Sequence, residues 1–237
     1  MVPTNDSQIR RTRRAAMAFI GAAAVTAVAG AVLQFGLQPA TELSDDMWRY
    51  PWSSSGAFVA FSLFSALVHG LVIVGLVAFG RSGAAGRSRA ASTGVALAVA
   101  GTALLLVGEL ASIPIRDAEI DDTSAAIVGA IFGLASIVST VGFLLTGRAT
   151  LRAGVWRDWR RFTPLAVGIW LTALTLLSLA VPKGLHGGVG VYGVCLLAMA
   201  TALYTQPAPS MAATTGSRSS SEHDRDRPTS ACDYVAS

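Results

Sequence analysis

Charged residues are scarce in this sequence. Of its 237 residues only 14% are charged, where a soluble domain carries about a quarter. Cysteine occurs twice, at Cys195 and Cys232, with neither redox nor zinc spacing. That excludes a disulfide framework and a cysteine-ligated metal site. Lysine occurs once, at Lys183, and histidine three times. H-E-x-x-H, Walker A, G-x-S-x-G and C-x-x-C are all missing. Embedded metalloproteases, ATPases and disulfide-handling enzymes of the familiar kinds are thereby disfavoured. No catalytic residue, metal ligand or cofactor site is assigned. A bis-histidine haem site needs two histidines at matched depths on facing helices, and His69 and His186 differ in expected depth.

What the chain has in quantity is apolar sequence: 52% hydrophobic residues and a mean hydropathy of +0.55. These residues fall into blocks of about 20, the length a helix needs to cross a hydrocarbon layer. The expected fold is therefore all-α, a polytopic transmembrane bundle of six spans at about 15–35, 56–79, 91–113, 125–145, 163–181 and 188–204. A basic N-terminus covers 1–14, the membrane domain 15–205, and a Ser/Thr/Pro-rich tail, expected to be disordered, 206–237. The first apolar run is too long for a signal-peptide core and is expected to remain as a span.

The net charge of +4 does not point to nucleic acid, because the basic residues flank apolar blocks and form no recognition motif. They alternate by side. All of the 18 Lys and Arg residues except Arg49, Arg116 and Lys183 fall on one side of the six spans. The positive-inside rule then puts both termini in the cytoplasm. The opposite loops hold Glu42, Asp45, Asp46, Asp117, Glu119, Asp121 and Asp122. The acids at 117–122 lack EF-hand spacing and read as solvated loop charges.

The basic connection before span 5 has Leu151, Val155, Trp159 and Phe162 at helical spacing, with Arg152, Arg157, Arg160 and Arg161 between them. This predicts a short amphipathic helix on the inner leaflet, touching anionic lipids, with Trp156 and Trp159 at headgroup level. Within the spans, Ala91, Gly94, Ala98, Gly101 and Gly108 form one seam, and Gly129-x-x-x-Gly133 a second. Both are expected to face neighbouring helices.

Two ionisable residues lie inside spans, His69 in span 2 and Glu109 in span 3. Such residues are costly in lipid and are candidates for a functional polar site. The plainer reading makes His69 a neutral, hydrogen-bonded imidazole and Glu109 an interfacial carboxylate paired with Arg116 or water. On the outer face, His186 and the cluster Trp48, Arg49, Tyr50 and Trp52 are candidates for a ligand or partner surface. Against that, interface anchoring accounts for the aromatics and loop solvation for His186.

The stretch from Trp156 to Leu165, Gly190-Val191-Tyr192-Gly193 and the Arg49-Tyr50-Pro51 entry to the span holding His69 resemble six-span integral membrane proteins of actinobacteria. The resemblance implies six spans and a bacterial plasma membrane. It carries over no catalytic residues. The leading expectation is a non-enzymatic structural, sensory or assembly component, with a membrane-protein partner or a second copy as its associate. A small proton-linked transporter using His69 and Glu109 comes second, and a lipid-modifying enzyme third.

Overall fold

The computed structural model describes residues 5–180 and 186–206, and their side chains except at 5, 6, 8, 179, 180, 186 and 187. The expected turn at 181–185, with Lys183, and the tail beyond Gln206 lie outside the described residues. The described chain is all-helical, with a single isolated bridge, Met47 to Glu119.

Six long helices follow one another. α1 (Asn5–Val32) runs on through a π-turn at Leu33–Leu37 to Gln38–Ala40. Then come α2 (Ser55–Ser82), α3 (Arg89–Ser112), α4 (Thr123–Ala153), α5 (Thr163–Ala180) and α6 (His186–Tyr204). Local chemistry sets several of the ends. The hydroxyls of Ser54 and Ser88 accept the Ala57 and Ala91 N–H groups at 3.0 and 3.2 Å, as N-caps do. Gly83 and Gly154 close α2 and α4 with φ of 75° and 62°, a conformation that favours glycine. Asp122 takes the N-cap position of α4, but its carboxylate accepts from the Glu119 N–H at 3.0 Å.

Five apolar helical stretches are long enough to cross a membrane, the fifth being Asp158–Ser178, and the apolar stretch of α6, Gly188–Tyr204, is shorter. Their outward faces carry large apolar side chains on every helix: Phe35 is 80% exposed, Leu67 61%, Ile127 60% and Leu176 62%. Water would strip such a surface into aggregates, whereas lipid covers it. Hydroxyls inside the helices return their protons to the carbonyl one turn back, as Thr102 does to Ala98 and Thr150 to Thr146 at 2.8 Å. The molecule is a membrane protein with a helical bundle.

In lipid, helices associate through close packing because greasy surface alone gives no preference for a neighbour. The α3 seam does this. A Cβ placed on Gly94 would lie 2.7 Å from Thr146 N, on Gly101 2.6 Å from Ser139 N, and on Gly142 of α4 2.3 Å from Ala98 N. The α3 and α4 backbones therefore touch over several turns. Around this pair, α2 packs on α3, α5 on α4, α6 on α5, and α1 closes the ring between α6 and α2. On α6, Gly190 and Gly193 bring the backbone against Ala27 and Ala31 of α1.

Three expectations are corrected. Gly129 and Gly133 are exposed, and an added Cβ would meet nothing within 4 Å. That stripe faces away from the bundle. The helices also outrun the apolar blocks, because backbone hydrogen bonding continues wherever arginines can reach water: Arg10–Arg14 lie within α1, and Arg148 and Arg152 within α4. Finally, residues 151–162 form no continuous amphipathic helix. Positive φ at Gly154 and Asp158 breaks the chain into the end of α4 and a 3-10 turn, Asp158–Phe162. Trp156 is pulled inward by that break. It is 3% exposed, lies edge-on to Phe79 with ring centres 5.2 Å apart, and donates Nε1–H to Gln206 at 3.3 Å. Trp159, at 50% exposure, keeps the outward position expected of it.

Candidate functional site

The half of the bundle bearing the Arg81–Arg89 and Arg148–Arg161 connections is packed with large buried side chains. Phe19 of α1 lies against Gly75 of α2, so closely that a Cβ there would stand 2.3 Å from the ring. Phe79, Phe143, Met199 and Leu203 are all fully buried in this half. The other half holds a partly open cavity of about 400 Å³ to which all six helices contribute. Its volume is in the range of small-molecule sites.

The polar groups come mainly from α2 and α3. Ser62, Ser65 and His69 recur at three- and four-residue intervals and so share one face of α2. The Ser65 hydroxyl donates to Glu109 Oε1 at 2.8 Å. The Ser65 carbonyl lies 2.9 Å from His69 Nδ1. Because a carbonyl only accepts, Nδ1 carries the hydrogen, and Nε2 of a neutral ring keeps its lone pair. One serine thus links both ionisable groups. Glu109 pairs with Ser65 and not with Arg116, whose Nε instead lies 3.3 Å from Asp117. Ser112 and Ser136 add hydroxyls from α3 and α4, and Tyr192 adds a phenol from α6. Tyr192 is 6% exposed, and its OH has no hydrogen-bond partner. A buried hydroxyl left unpaired costs free energy that a bound polar group would recover.

Aromatic rings cover the end of the cavity farther from the filled half. Trp48, Tyr50 and Trp52 line it from the 41–54 connection, with Phe58, Phe61 and Phe64 of α2 and Phe132 of α4. Trp52 and Phe61 pack at 4.8 Å between ring centres. The connection is held in place by its neighbour. Trp48 N–H donates to the Ala118 carbonyl at 2.9 Å and Ile120 N–H to that of Asp46 at 2.7 Å. Arg49 pairs with Asp117 and donates to Ser55 Oγ at 2.6 Å, while Ser55 donates to Asp117 at 2.9 Å.

The structure therefore brings His69, Glu109, Trp48, Tyr50 and Trp52 to one cavity, although the sequence suggested two separate sites. Arg49 is not among the lining residues and serves the loop clamp instead. The His186 side chain lies outside the described residues. Arg152, Trp156, Arg157, Trp159, Arg160 and Arg161 belong to the opposite end of the bundle and contribute nothing to the cavity. Sequence reasoning missed Ser65 and Tyr192 as site residues. For Ser65 the available signal was its place one turn before His69; Tyr192 offered only its position between Gly190 and Gly193. Among the described residues no cluster of His, Cys, Asp and Glu suits a metal ion.

Comparison of the chain with protein-family models, with curated proteins and with solved structures found no match. The functional reading rests on the cavity itself.

Proposed function

We propose that this is a six-span protein of the bacterial plasma membrane, with both termini in the cytoplasm, that binds a small molecule in the Glu109–His69 cavity. It acts as a sensory or assembly component and not as an enzyme. The observation that carries the binding reading is the cavity, lined from every helix and holding the only intramembrane acid among the described lining residues. The orientation is supported by the distribution of arginine. Arg148, Arg152, Arg157, Arg160 and Arg161 would then meet anionic lipid headgroups, at about 1 kcal/mol each.

Binding is tested in lipid nanodiscs by tryptophan quenching with small naphthalene probes. Ala29 lines the cavity, so Ala29→Phe is expected to fill it and remove saturable quenching. Equal quenching in both proteins would mean that the probes sit elsewhere. Orientation is tested with single cysteines in a chain lacking Cys195 and Cys232. Ser53→Cys and Asp121→Cys are expected to react with an impermeant maleimide in intact spheroplasts, and Ser88→Cys and Arg157→Cys only after lysis. Labelling of all four in one compartment would reject six spans.

A proton-linked carrier is the second reading, favoured by the link that Ser65 makes between His69 and Glu109. It requires His69→Ala and Glu109→Gln each to abolish a proton-coupled flux in vesicles. A lipid-modifying enzyme gains no support, since the His69 bond goes to a backbone carbonyl and not to a serine hydroxyl.

A further inference from the structure

We propose that the cavity takes a protonated primary or secondary amine with an apolar, aromatic-sized body, and that Glu109 is its counter-charge. This rests on the binding reading above and adds the ligand class.

Four observations converge. Glu109 is the sole acid lining the cavity, and no Lys or Arg lines it among the described residues. Among the described residues its carboxylate has one neutral partner, the Ser65 hydroxyl at 2.8 Å. The outer-loop guanidiniums do not neutralise it, because Arg49 and Arg116 both pair with Asp117. A carboxylate accepts several hydrogen bonds, so capacity remains for a donor from the cavity.

The second polar group is also an acceptor. His69 gives its Nδ1–H to the Ser65 carbonyl, which leaves the Nε2 lone pair of the neutral ring. The Tyr192 hydroxyl is buried without a partner and can accept as well as donate. Finally, rings surround these groups. Trp48, Tyr50, Trp52, Phe61 and Phe132 line the same space, and aromatic faces attract cations.

An anion would meet the Glu109 carboxylate and, among the described residues, no lysine or arginine. A hydrocarbon tail would bring no donor to the remaining acceptor sites of Glu109 and His69 and no partner to the Tyr192 hydroxyl. A quaternary ammonium would meet the rings and the charge but bring no N–H for the acceptors. An ammonium with two or three N–H groups answers all of them, and its apolar body fills the aromatic end.

The test uses the full-length protein in nanodiscs at neutral pH, with 1-naphthylmethylamine and its neutral counterpart 1-naphthylmethanol as probes, read by calorimetry. The amine is expected to bind about tenfold or more tighter than the alcohol, the size of a hydrogen bond to a charged group. Glu109→Gln is expected to erase that preference while leaving the alcohol's affinity unchanged, which also reports an intact cavity. If Glu109→Gln does not yield a monodisperse protein, Ser65→Ala, which frees the carboxylate from its tether, is expected to narrow the preference. Equal affinity for the two probes, or a preference that persists in the variant, would overturn the amine assignment and leave the cavity as a binding site. Failure of both probes to bind the unmodified protein would overturn the cavity reading as well.

Discussion

A single methyl group at Gly142 should cost this protein more than any change on the lipid-facing side of the same helix. In Gly142→Ala the new Cβ would stand 2.3 Å from Ala98 N, 2.8 Å from Ala98 Cα and 2.8 Å from the Leu97 carbonyl carbon. All three are backbone atoms, so no side chain can swing aside. The α3 and α4 axes must separate, and contacts above and below, at Gly94–Thr146 and Gly101–Ser139, loosen with them. Overpacking of a tight core costs about 1–3 kcal/mol, and the rigid partner puts this case at about 3. Gly133→Ala on α4 is the matched control. It is exposed, with nothing within 4 Å of the added atom. The same chemical change there should be neutral, or stabilise by up to about 1 kcal/mol through helix propensity. Equilibrium unfolding in mixed detergent micelles, followed by tryptophan fluorescence, measures both. Equal effects for the two substitutions, or a neutral Gly142→Ala, would refute the claim that backbone contact between α3 and α4 holds the bundle.

Trp156→Ala removes a buried ring from Phe79 and should lower stability by about 3–5 kcal/mol in the same assay, whereas Trp159→Ala, half exposed, should have little effect. Arg49→Ala breaks the pairing with Asp117 and Ser55. Because Asp117 is half exposed, the loss in global stability should be within about 1 kcal/mol, yet hydrogen exchange over 41–54 should rise clearly. Unchanged exchange there would mean that the backbone bonds alone hold the two connections together.

The long apolar helices were legible because lipid imposes a length and forbids unpaired backbone groups. The Gly94–Gly101–Gly108 seam was legible too, since a seven-residue interval keeps small residues on one helical face. The Gly129–Gly133 pair has the same chemistry but faces outward. Spacing tells which residues share a face, not which face meets a neighbour. The behaviour of 151–162 was hidden in two backbone angles, at Gly154 and Asp158, that no apolar periodicity records. The candidate site was half visible. His69 and Glu109 stand out by charge in a greasy setting, but Ser65 and Tyr192 are ordinary residues of such helices. Their importance comes from where other helices place them: Ser65 meets Glu109, 44 positions along the chain, and Tyr192 is buried beside the same cavity.

The ring of Phe19, seated in the notch left by Gly75, pins α1 against α2. Any sliding of one helix past the other must first withdraw that ring, so the missing side chain at position 75 sets the register of the pair.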